Sequence, residues 1–300
     1  MSDKIIQLSN SFLEVGIVPD CGASLAYFRT KGKKLFDIMR PASMTAINKK
    51  DALGMSMFPM LPYTHRIKDG HFTYWGITRT VAPTHSLFKD PIHGDGWQAK
   101  WTVVSADKTS AVLSYTHDKK RGFPFSYRAE VEYRLNEKSL DVTLRLINES
   151  VLPMPCGFGL HPFFTKTPHV TAQFHTKNVW YHENDPIDRP YSTPEEYSFD
   201  VERPLKTDSF DICYGGFDEK AEINWPKFGL GLTIKADIDF GHIVLYAPDR
   251  KNYFALEPST MANDAFNMAS RGIIGTGIKS IGKDETLEGS VSFIVRGLEA

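Results

Sequence analysis

The sequence predicts an all-β protein, a large antiparallel β-sandwich with few short helices. Apolar and polar residues alternate along much of the chain, most clearly from Ser139 to Leu146, where four aliphatic residues would share one face. Turns rich in Gly, Pro, Asn and Asp separate these stretches. No window longer than about three turns carries an apolar helical stripe. Because strands follow one another without intervening helices, a doubly wound parallel sheet is not expected.

The predicted strands begin near the amino terminus. Residues 5–18 predict two short strands around a turn, and a further strand is expected from Leu25 to Phe28. One short helix is expected within Met44–Leu53. Five later segments alternate in the same way: Ala111–Thr116, Tyr127–Leu135, Gly231–Ala236, His242–Tyr246 and Ser290–Val295. Since no linker or internal repeat divides the chain, we expect one domain over residues 1–300.

The composition is that of a globular chain without a strong net charge. Hydrophobic residues make up 41% and charged residues 24% of the 300, which is enough for a full core. The 35 Lys and Arg nearly balance the 36 Asp and Glu, so we expect neither nucleic acid nor a membrane as partner. No apolar stretch fits a signal peptide, and three widely spaced cysteines indicate free thiols, so a cytoplasmic location is expected.

Residues 155–164 read Pro-Cys-Gly-Phe-Gly-Leu-His-Pro-Phe-Phe and place one histidine among prolines and glycines. We expect a stiff turn that presents His161 between aromatic neighbours. Because histidine titrates near neutral pH, His161 is a candidate proton donor or acceptor. A buried structural histidine is the alternative.

The segment 253–267 supplies a group of complementary chemistry. Glu257 follows an apolar stretch and precedes Pro258, so its carboxylate is expected where a strand leaves the sheet. Burial among apolar residues would raise its pKa and make it a stronger base near neutral pH. A structural ion pair with an arginine is the alternative. Asp211 is a weaker candidate of the same kind.

Two further segments place hydrogen-bonding side chains beside prolines or aromatic residues, although a surface arginine is the alternative for the first of them. One delivers Arg66 after two prolines, and a fixed guanidinium offers a rigid fork of donors to oxygen atoms. The other carries His93 before a Gly-x-Gly turn, followed by Trp97 and Trp101. Aromatic faces beside hydrogen-bonding groups suit a pyranose, which has an apolar C–H face and a rim of hydroxyls. Both tryptophans are equally explained as core residues.

These segments, in this order, resemble the aldose 1-epimerases, the galactose mutarotase family, over most of the chain. The likeness rests on these motifs: His65-Arg66-Ile67, His93-Gly94 with its Trp, Gly159-Leu160-His161-Pro162-Phe163-Phe164, and Leu256-Glu257-Pro258 leading to Asp264-Ala265-Phe266. Two positions depart from the family. His65 stands where many members have Asn, and Asp95 lies in a turn where an apolar residue is common, so the preferred sugar stays open.

The resemblance implies a single-domain antiparallel β-supersandwich, and a cofactor-free enzyme that interconverts the α and β anomers of a free monosaccharide. It implies that His161 is the general acid that protonates the ring oxygen and that Glu257 is the general base at the anomeric hydroxyl. Arg66, His93 and Asp211 match positions that bind the sugar. Hemiacetal ring opening needs such a pair, because one proton leaves O1 while another reaches the ring oxygen. The sequence has no metal-binding signature, so no metal is expected.

Three alternatives remain open. A sugar-phosphate epimerase should carry a basic cluster near the pocket, for which Arg66 and Lys68 are the candidates. A non-catalytic sugar-binding or sensing protein needs no acid–base pair, so the presence of both His161 and Glu257 disfavours it. A glycosidase would use Glu257 and Asp211 as its carboxylate pair, which leaves the histidine without a role. The sequence does not indicate the oligomeric state.

Overall fold

The computed structural model describes residues 5–31, 35–119, 122–182, 189–205 and 209–298, and they form mostly antiparallel β-structure. The expected fold class is confirmed. The strands are β1 Ile6–Ser9, β2 Leu13–Val18, β3 Ser24–Thr30, β4 Asp37–Met39, β5 Met57–Met60, β6 His71–Tyr74, β7 Ile77–Thr80, β8 Thr102–Ala106, β9 Ser110–His117, β10 Tyr127–Leu135, β11 Ser139–Asn148, β12 Met154–Cys156, β13 Gly159–Thr165, β14 Thr171–Phe174, β15 Asn178–His182, β16 Tyr191–Ser192, β17 Arg203–Pro204, β18 Phe210–Gly215, β19 Lys220–Trp225, β20 Leu230–Ala236, β21 His242–Ala247, β22 Tyr253–Ser259, β23 Lys279–Ile281 and β24 Thr286–Arg296.

Two large antiparallel sheets dominate the described residues. The first sheet has the order β1-β2-β3-β4-β13-β22-β21-β18-β15-β16, and β5 pairs with both β13 and β3. The second sheet has the order β17-β14-β19-β20-β24-β11-β10-β9-β8. Two small sheets, β12 with β23 and β6 with β7, lie outside them. Every strand that the sequence predicts is present in one of the two large sheets.

The main core lies between the two large sheets. On β11 the alternation in the sequence is reproduced in the burial, since Leu140, Val142, Leu144 and Leu146 are buried and their neighbours are half-buried. Aromatic contacts join the sheets: the rings of Phe164 on β13 and Phe293 on β24 lie with centroids 6.2 Å apart. Burial of this apolar surface is the main force that holds the sheets together.

The outer face of the first sheet is also covered. A second apolar cluster lies there and includes Phe58, Met60, Trp97, Phe163 and Ala255. Successive side chains of a strand point to opposite faces, so the central strands bury residues on both sides. Polar groups on the outer face of these strands are therefore buried without belonging to the main core.

The structure corrects two details of the predicted motifs. His161 lies within the strand β13, not in a stiff turn. The neighbouring glycine permits close packing of strands, since a Cβ at Gly159 would lie 2.8 Å from the carbonyl oxygen of Pro258. Glu257 likewise lies inside β22, paired with Val244, and not where that strand leaves the sheet.

Two short α-helices accompany the strands in the described residues: α1 Met44–Lys49 and α2 Ala265–Ser270. The predicted helix ends early because Lys50 adopts a left-handed conformation with φ 54°. Short 3₁₀ turns occupy Ala52–Gly54, Lys68–Gly70, Gly96–Gln98, Glu195–Tyr197 and Pro226–Phe228. Helix α2 was not predicted, since six residues are too few to show a periodic apolar stripe. Neither described helix has the length and apolar character that crossing a bilayer requires.

Candidate active site

A cavity of about 260 Å³ lies on the outer face of the first sheet. Its floor comes from alternate residues of the neighbouring strands β13, β22, β21, β18 and β15: His161, Phe163, Tyr253, Glu257, Val244, Tyr246, Asp211, Cys213 and Tyr181. Its rim comes from loops: Leu53, His65, Arg66, Phe88, Ile92, His93 and Asn263. Five of the six residues that the sequence assigned to the site line this cavity: His161, Glu257, Arg66, His93 and Asp211.

His161 and Glu257 form a direct cross-strand pair. Strands β13 and β22 are antiparallel, and their register pairs Gly159 with Ser259 and Phe163 with Ala255, which sets the two residues opposite each other. Nε2 of His161 lies 3.2 Å from Oε1 of Glu257. The two residues are only 7% and 2% exposed, so water has little access to them. At this separation the two side chains can share or exchange a proton.

Burial sets the protonation of this pair. It raises the pKa of Glu257 well above its ordinary value, and the negative charge of Asp211 raises that pKa further. Burial lowers the pKa of His161 to about 3. Burial thus moves the pKa of His161 away from the neutral range in which a solvated histidine titrates. Both shifts favour the uncharged form of the pair, with the proton on the Glu257 carboxyl.

His93 is held as a neutral hydrogen-bond donor. Its Nδ1 accepts a hydrogen bond from the backbone N–H of His65 at 3.2 Å, so the neutral ring carries its proton on Nε2. Burial lowers the pKa of His93 well below the ordinary value, which keeps the ring uncharged. In return, the backbone N–H of His93 donates to the carbonyl oxygen of His65 at 2.9 Å. Both residues adopt the left-handed region, with φ 56° and 60°, a strain typical of functional sites.

Arg66 is the one arginine among the residues that line the cavity. Its side chain lies against the ring of Phe88, 5.7 Å from the centroid. Among the residues that the structure describes, no carboxylate forms an ion pair with it. Its backbone is fixed, because its N–H donates to Oδ1 of Asn263 at 3.3 Å and its carbonyl accepts from the N–H of Asp264 at 3.2 Å. The five donors of the guanidinium are thus available to a ligand.

Trp97 does not line the cavity, which corrects the prediction that it contacts the ligand. Its side chain is fully buried in the second apolar cluster. The 3₁₀ turn at 96–98 carries the indole inward, where Nε1 donates to the carbonyl of Gly94 at 3.1 Å. The ring packs against Phe58, with centroids 5.0 Å apart, and Phe58 in turn packs against His161 at 4.6 Å. Trp97 therefore supports the cavity wall from behind.

Several aromatic residues that the sequence analysis did not assign also line the cavity: Phe88, Phe163, Tyr181, Tyr246 and Tyr253. The three tyrosines lie on strands of the first sheet, on the same face as Glu257. The alternation within each strand shows that they share a face with their i±2 neighbours. The alternation does not show which face of the sheet carries the site. It identifies the tyrosines as lining residues only after Glu257 has been assigned to the site.

The described part of the chain contains no cluster of side chains suited to a metal ion, since no set of three or more His, Cys, Asp or Glu residues there is arranged to hold one. The cavity instead brings together a carboxylic acid, a carboxylate, a guanidinium and three uncharged imidazoles, from His65, His93 and His161. These groups suit hydrogen bonding to hydroxyls and proton transfer between oxygen atoms.

Comparison with solved structures shows that this is a galactose mutarotase-like fold. A candidate aldose 1-epimerase from Escherichia coli K12 superposes with a TM-score of 0.88 at 23% identity, over 98% of this chain and 99% of that one. A galactose mutarotase-like protein from Clostridium acetobutylicum gives a TM-score of 0.83 at 18% identity, over 98% and 95%. At these identities the structural likeness establishes the fold alone.

The sequence itself establishes the family. The model of the aldose 1-epimerase family matches residues 4–275. The chain therefore belongs to the aldose 1-epimerase family. Among curated proteins, it is 24% identical over 269 residues to the uncharacterized protein YphB of Escherichia coli K12, covering 87% of this chain and 89% of that protein.

Proposed function

We propose that this protein is an aldose 1-epimerase that interconverts the α and β anomers of a free monosaccharide. The observation that carries the proposal is the buried pair of His161 and Glu257, 3.2 Å apart, in the wall of a cavity. At about 260 Å³ that cavity is slightly smaller than pockets for drug-sized ligands, which run from roughly 300 to 1,000 Å³, so it suits a ligand as small as one sugar ring.

The proposed mechanism needs only proton transfers. Glu257 takes the proton of the anomeric hydroxyl while the bond between C1 and the ring oxygen breaks, and His161 gives a proton to that ring oxygen. The open-chain aldehyde rotates about C1–C2, and the reverse transfers close the ring on the other face. Each positioned acid or base contributes about 100- to 10,000-fold to such a reaction. The pair ends in the state in which it began.

The unliganded pair reaches the reactive state by moving one proton. In the free protein the proton lies on Glu257, because burial raises the pKa of that carboxyl and lowers the pKa of His161. A sugar whose anomeric hydroxyl donates to Oε1 stabilises the carboxylate and so favours transfer of the proton to Nε2. The two atoms are 3.2 Å apart, so no side chain has to travel.

Three further groups of the cavity are assigned to binding. Arg66 donates from its guanidinium, His93 donates from Nε2, and Asp211 accepts through its carboxylate, which together match the rim of a sugar. The charges favour an unphosphorylated ligand. Among the residues that line the cavity, Arg66 is the basic one and faces two acidic residues, Asp211 and Glu257. A phosphate group with about two negative charges needs a more basic site.

Anomer exchange measured by NMR or polarimetry tests the proposal. Freshly dissolved pure anomers of a panel of neutral sugars and sugar phosphates are followed with the wild type, His161→Asn and Glu257→Gln. We expect faster exchange for at least one neutral sugar and a loss of about 100-fold or more in each variant. His175→Asn is the matched control, because His175 also pairs with an acidic residue, Asp200, but is exposed and lies outside the cavity.

Three outcomes would contradict the proposal. Full activity in both variants would exclude the acid–base pair. Binding of sugars without faster exchange would favour a sugar-binding or sensing protein. A response confined to phosphorylated sugars would identify a sugar-phosphate epimerase.

A further inference from the structure

A partly buried polar cluster lies beneath the loop that carries His93. Asp95, two residues further along, accepts three hydrogen bonds from side chains of the second sheet. Its Oδ2 accepts from the Tyr115 hydroxyl at 2.5 Å and from Nδ1 of His117 at 2.6 Å. Its Oδ1 accepts from the Tyr127 hydroxyl at 2.6 Å. The donors lie on β9 and β10, so Asp95 ties a rim loop of the cavity to the opposite sheet.

The geometry favours a doubly protonated His117. Its second ring nitrogen, Nε2, lies 2.9 Å from the carbonyl oxygen of Phe123, and a carbonyl can only accept, so Nε2 carries a proton. With the Asp95 carboxylate as acceptor on the other side, Nδ1 donates as well. The side chain is only 1% exposed, and burial opposes the charge, but the hydrogen bond to Asp95 and its negative charge prevail and raise the pKa of His117. Asp95 and His117 thus form an ion pair in which the histidine is buried and the aspartate is 22% exposed.

The loop between Asp95 and His93 has little freedom to adjust. Gly94 adopts φ +69°, and a Cβ there would lie 1.9 Å from the carbonyl oxygen of Leu61. Leu61 and Gly94 form a backbone bridge, and the indole of Trp97 donates to the Gly94 carbonyl. A displacement of Asp95 therefore passes directly to His93, since nothing between them can absorb it.

We propose that the ion pair between Asp95 and His117 holds His93 in position for the sugar, so that both are positioning residues. This inference rests on the proposed function, in which His93 orients the sugar but exchanges no proton with it. Loss of the pair should weaken sugar binding and leave the chemical step nearly intact. The pair also accounts for a feature of the sequence, because Asp95 stands at a turn position where the resemblance leads one to expect an apolar residue.

Steady-state kinetics of Asp95→Asn, His117→Gln and the double variant test the proposal. We expect each single variant to raise KM about tenfold or more while kcat changes by less than about threefold, because the lost interaction contributes equally to ground and transition states. The rise in KM of the double variant should not exceed that of the more impaired single variant, because both substitutions break the same pair. Asp200→Asn is the matched control, since it breaks the exposed pair of Asp200 with His175 and should change neither constant.

Nitrogen-15 NMR of histidine-labelled protein gives a second readout that needs no enzymatic activity. At pH 7 the wild type should show a signal from a histidine with both ring nitrogens protonated, which is assigned to His117 by its disappearance in His117→Gln. The signal of the His93 ring, protonated at Nε2 alone, should shift in Asp95→Asn. Tyr115→Phe replaces Asp95→Asn as the test should the latter fail to fold. It removes one hydrogen bond to Asp95 and keeps the ion pair, so we expect the signal of the His93 ring to shift, but by less.

The two measurements separate failure of this inference from failure of the proposed function. If no sugar responds, the NMR signals still report whether the pair exists and whether it positions His93. A singly protonated His117 at pH 7 would overturn the inference. So would an Asp95→Asn variant that folds with the His93 signal and KM of the wild type.

Discussion

Nε2 of His161 and Oε1 of Glu257 lie 3.2 Å apart because the two residues are directly opposite each other on adjacent antiparallel strands. Such a pair keeps its Cβ atoms about 4.5–5.5 Å apart, a distance fixed by the sheet and not by a loop. The strands that carry the pair bury their other face in the main core. The proposed acid and base are therefore held in place before the sugar arrives.

Glu257→Gln should stabilise the protein while it abolishes activity. The folded-state pKa of this buried carboxyl is raised, so the folded state disfavours the carboxylate, and wild-type stability falls as pH rises from the unfolded pKa through the folded one. Gln is neutral at every pH, so the variant does not lose stability in this way as pH rises. We expect a gain of roughly 1–3 kcal/mol in the free energy of unfolding at neutral pH, measured by urea denaturation.

The gain should grow between pH 4 and pH 8, because the wild type is penalised more as pH rises. Glu288→Gln serves as the control, since Glu288 is exposed and pairs with Arg145 at the surface. A wild type that becomes more stable than Glu257→Gln as pH rises would contradict the burial of the carboxyl as the dominant effect.

Asp211→Asn should move the pH dependence of the proposed reaction. The negative charge of Asp211 helps to raise the pKa of Glu257, so its removal lowers that pKa. Loss of the proton that Glu257 holds leaves the pair without an acid, so the alkaline limb of the kcat/KM–pH profile should shift to lower pH. The profile is measured with the sugar that responds best. An unmoved limb would mean that another group governs it, whatever the change in absolute rate.

Arg66→Met should weaken sugar binding. Met keeps much of the aliphatic length but removes every donor, and a hydrogen bond to a charged group is worth about 1.5–3 kcal/mol, which corresponds to roughly 10- to 100-fold in KM. We expect kcat to change less. Arg66→Lys should recover only part of the loss, because an ammonium lacks the planar fork of donors. Full recovery by Lys would show that charge alone matters here.

Trp97→Leu should cost stability more than sugar affinity. The indole is fully buried, and its truncation leaves a space and removes the hydrogen bond to Gly94. Large-to-small changes of this kind cost about 2–5 kcal/mol, measured as the free energy of unfolding. KM should rise less than in Arg66→Met. A variant of wild-type stability that no longer binds the sugar would restore the view that Trp97 contacts it.

The sequence predicts best those features that depend on residues close together along the chain. The alternation of Leu140, Val142, Leu144 and Leu146 predicts both the strand and its buried face. The segments around Arg66, His93, His161 and Glu257 are recognisable because each has an unusual arrangement of Gly, Pro and aromatic residues. All four line the same cavity. Local pattern together with the resemblance to a known family therefore brought these four residues into one candidate site.

The remaining features depend on contacts between distant parts of the chain. Glycines and a proline around His161 indicated a turn, whereas Gly159 permits the close approach of another strand. The role of Trp97 depends on the direction in which a short turn points its side chain. The donors to Asp95 come from residues 20, 22 and 32 positions further along, which no local pattern connects.

The rim loops of the cavity are bonded to one another as well as to the sheet. Arg66 forms a backbone bridge with Ile92, its N–H donates to Asn263, and His93 exchanges a backbone bond with His65. Loop exchange aimed at altering which sugar is accepted should therefore transplant all three loops as one unit. A graft of a single loop would break its bonds to the other two, whereas the strands with His161 and Glu257 can serve as an unchanged platform.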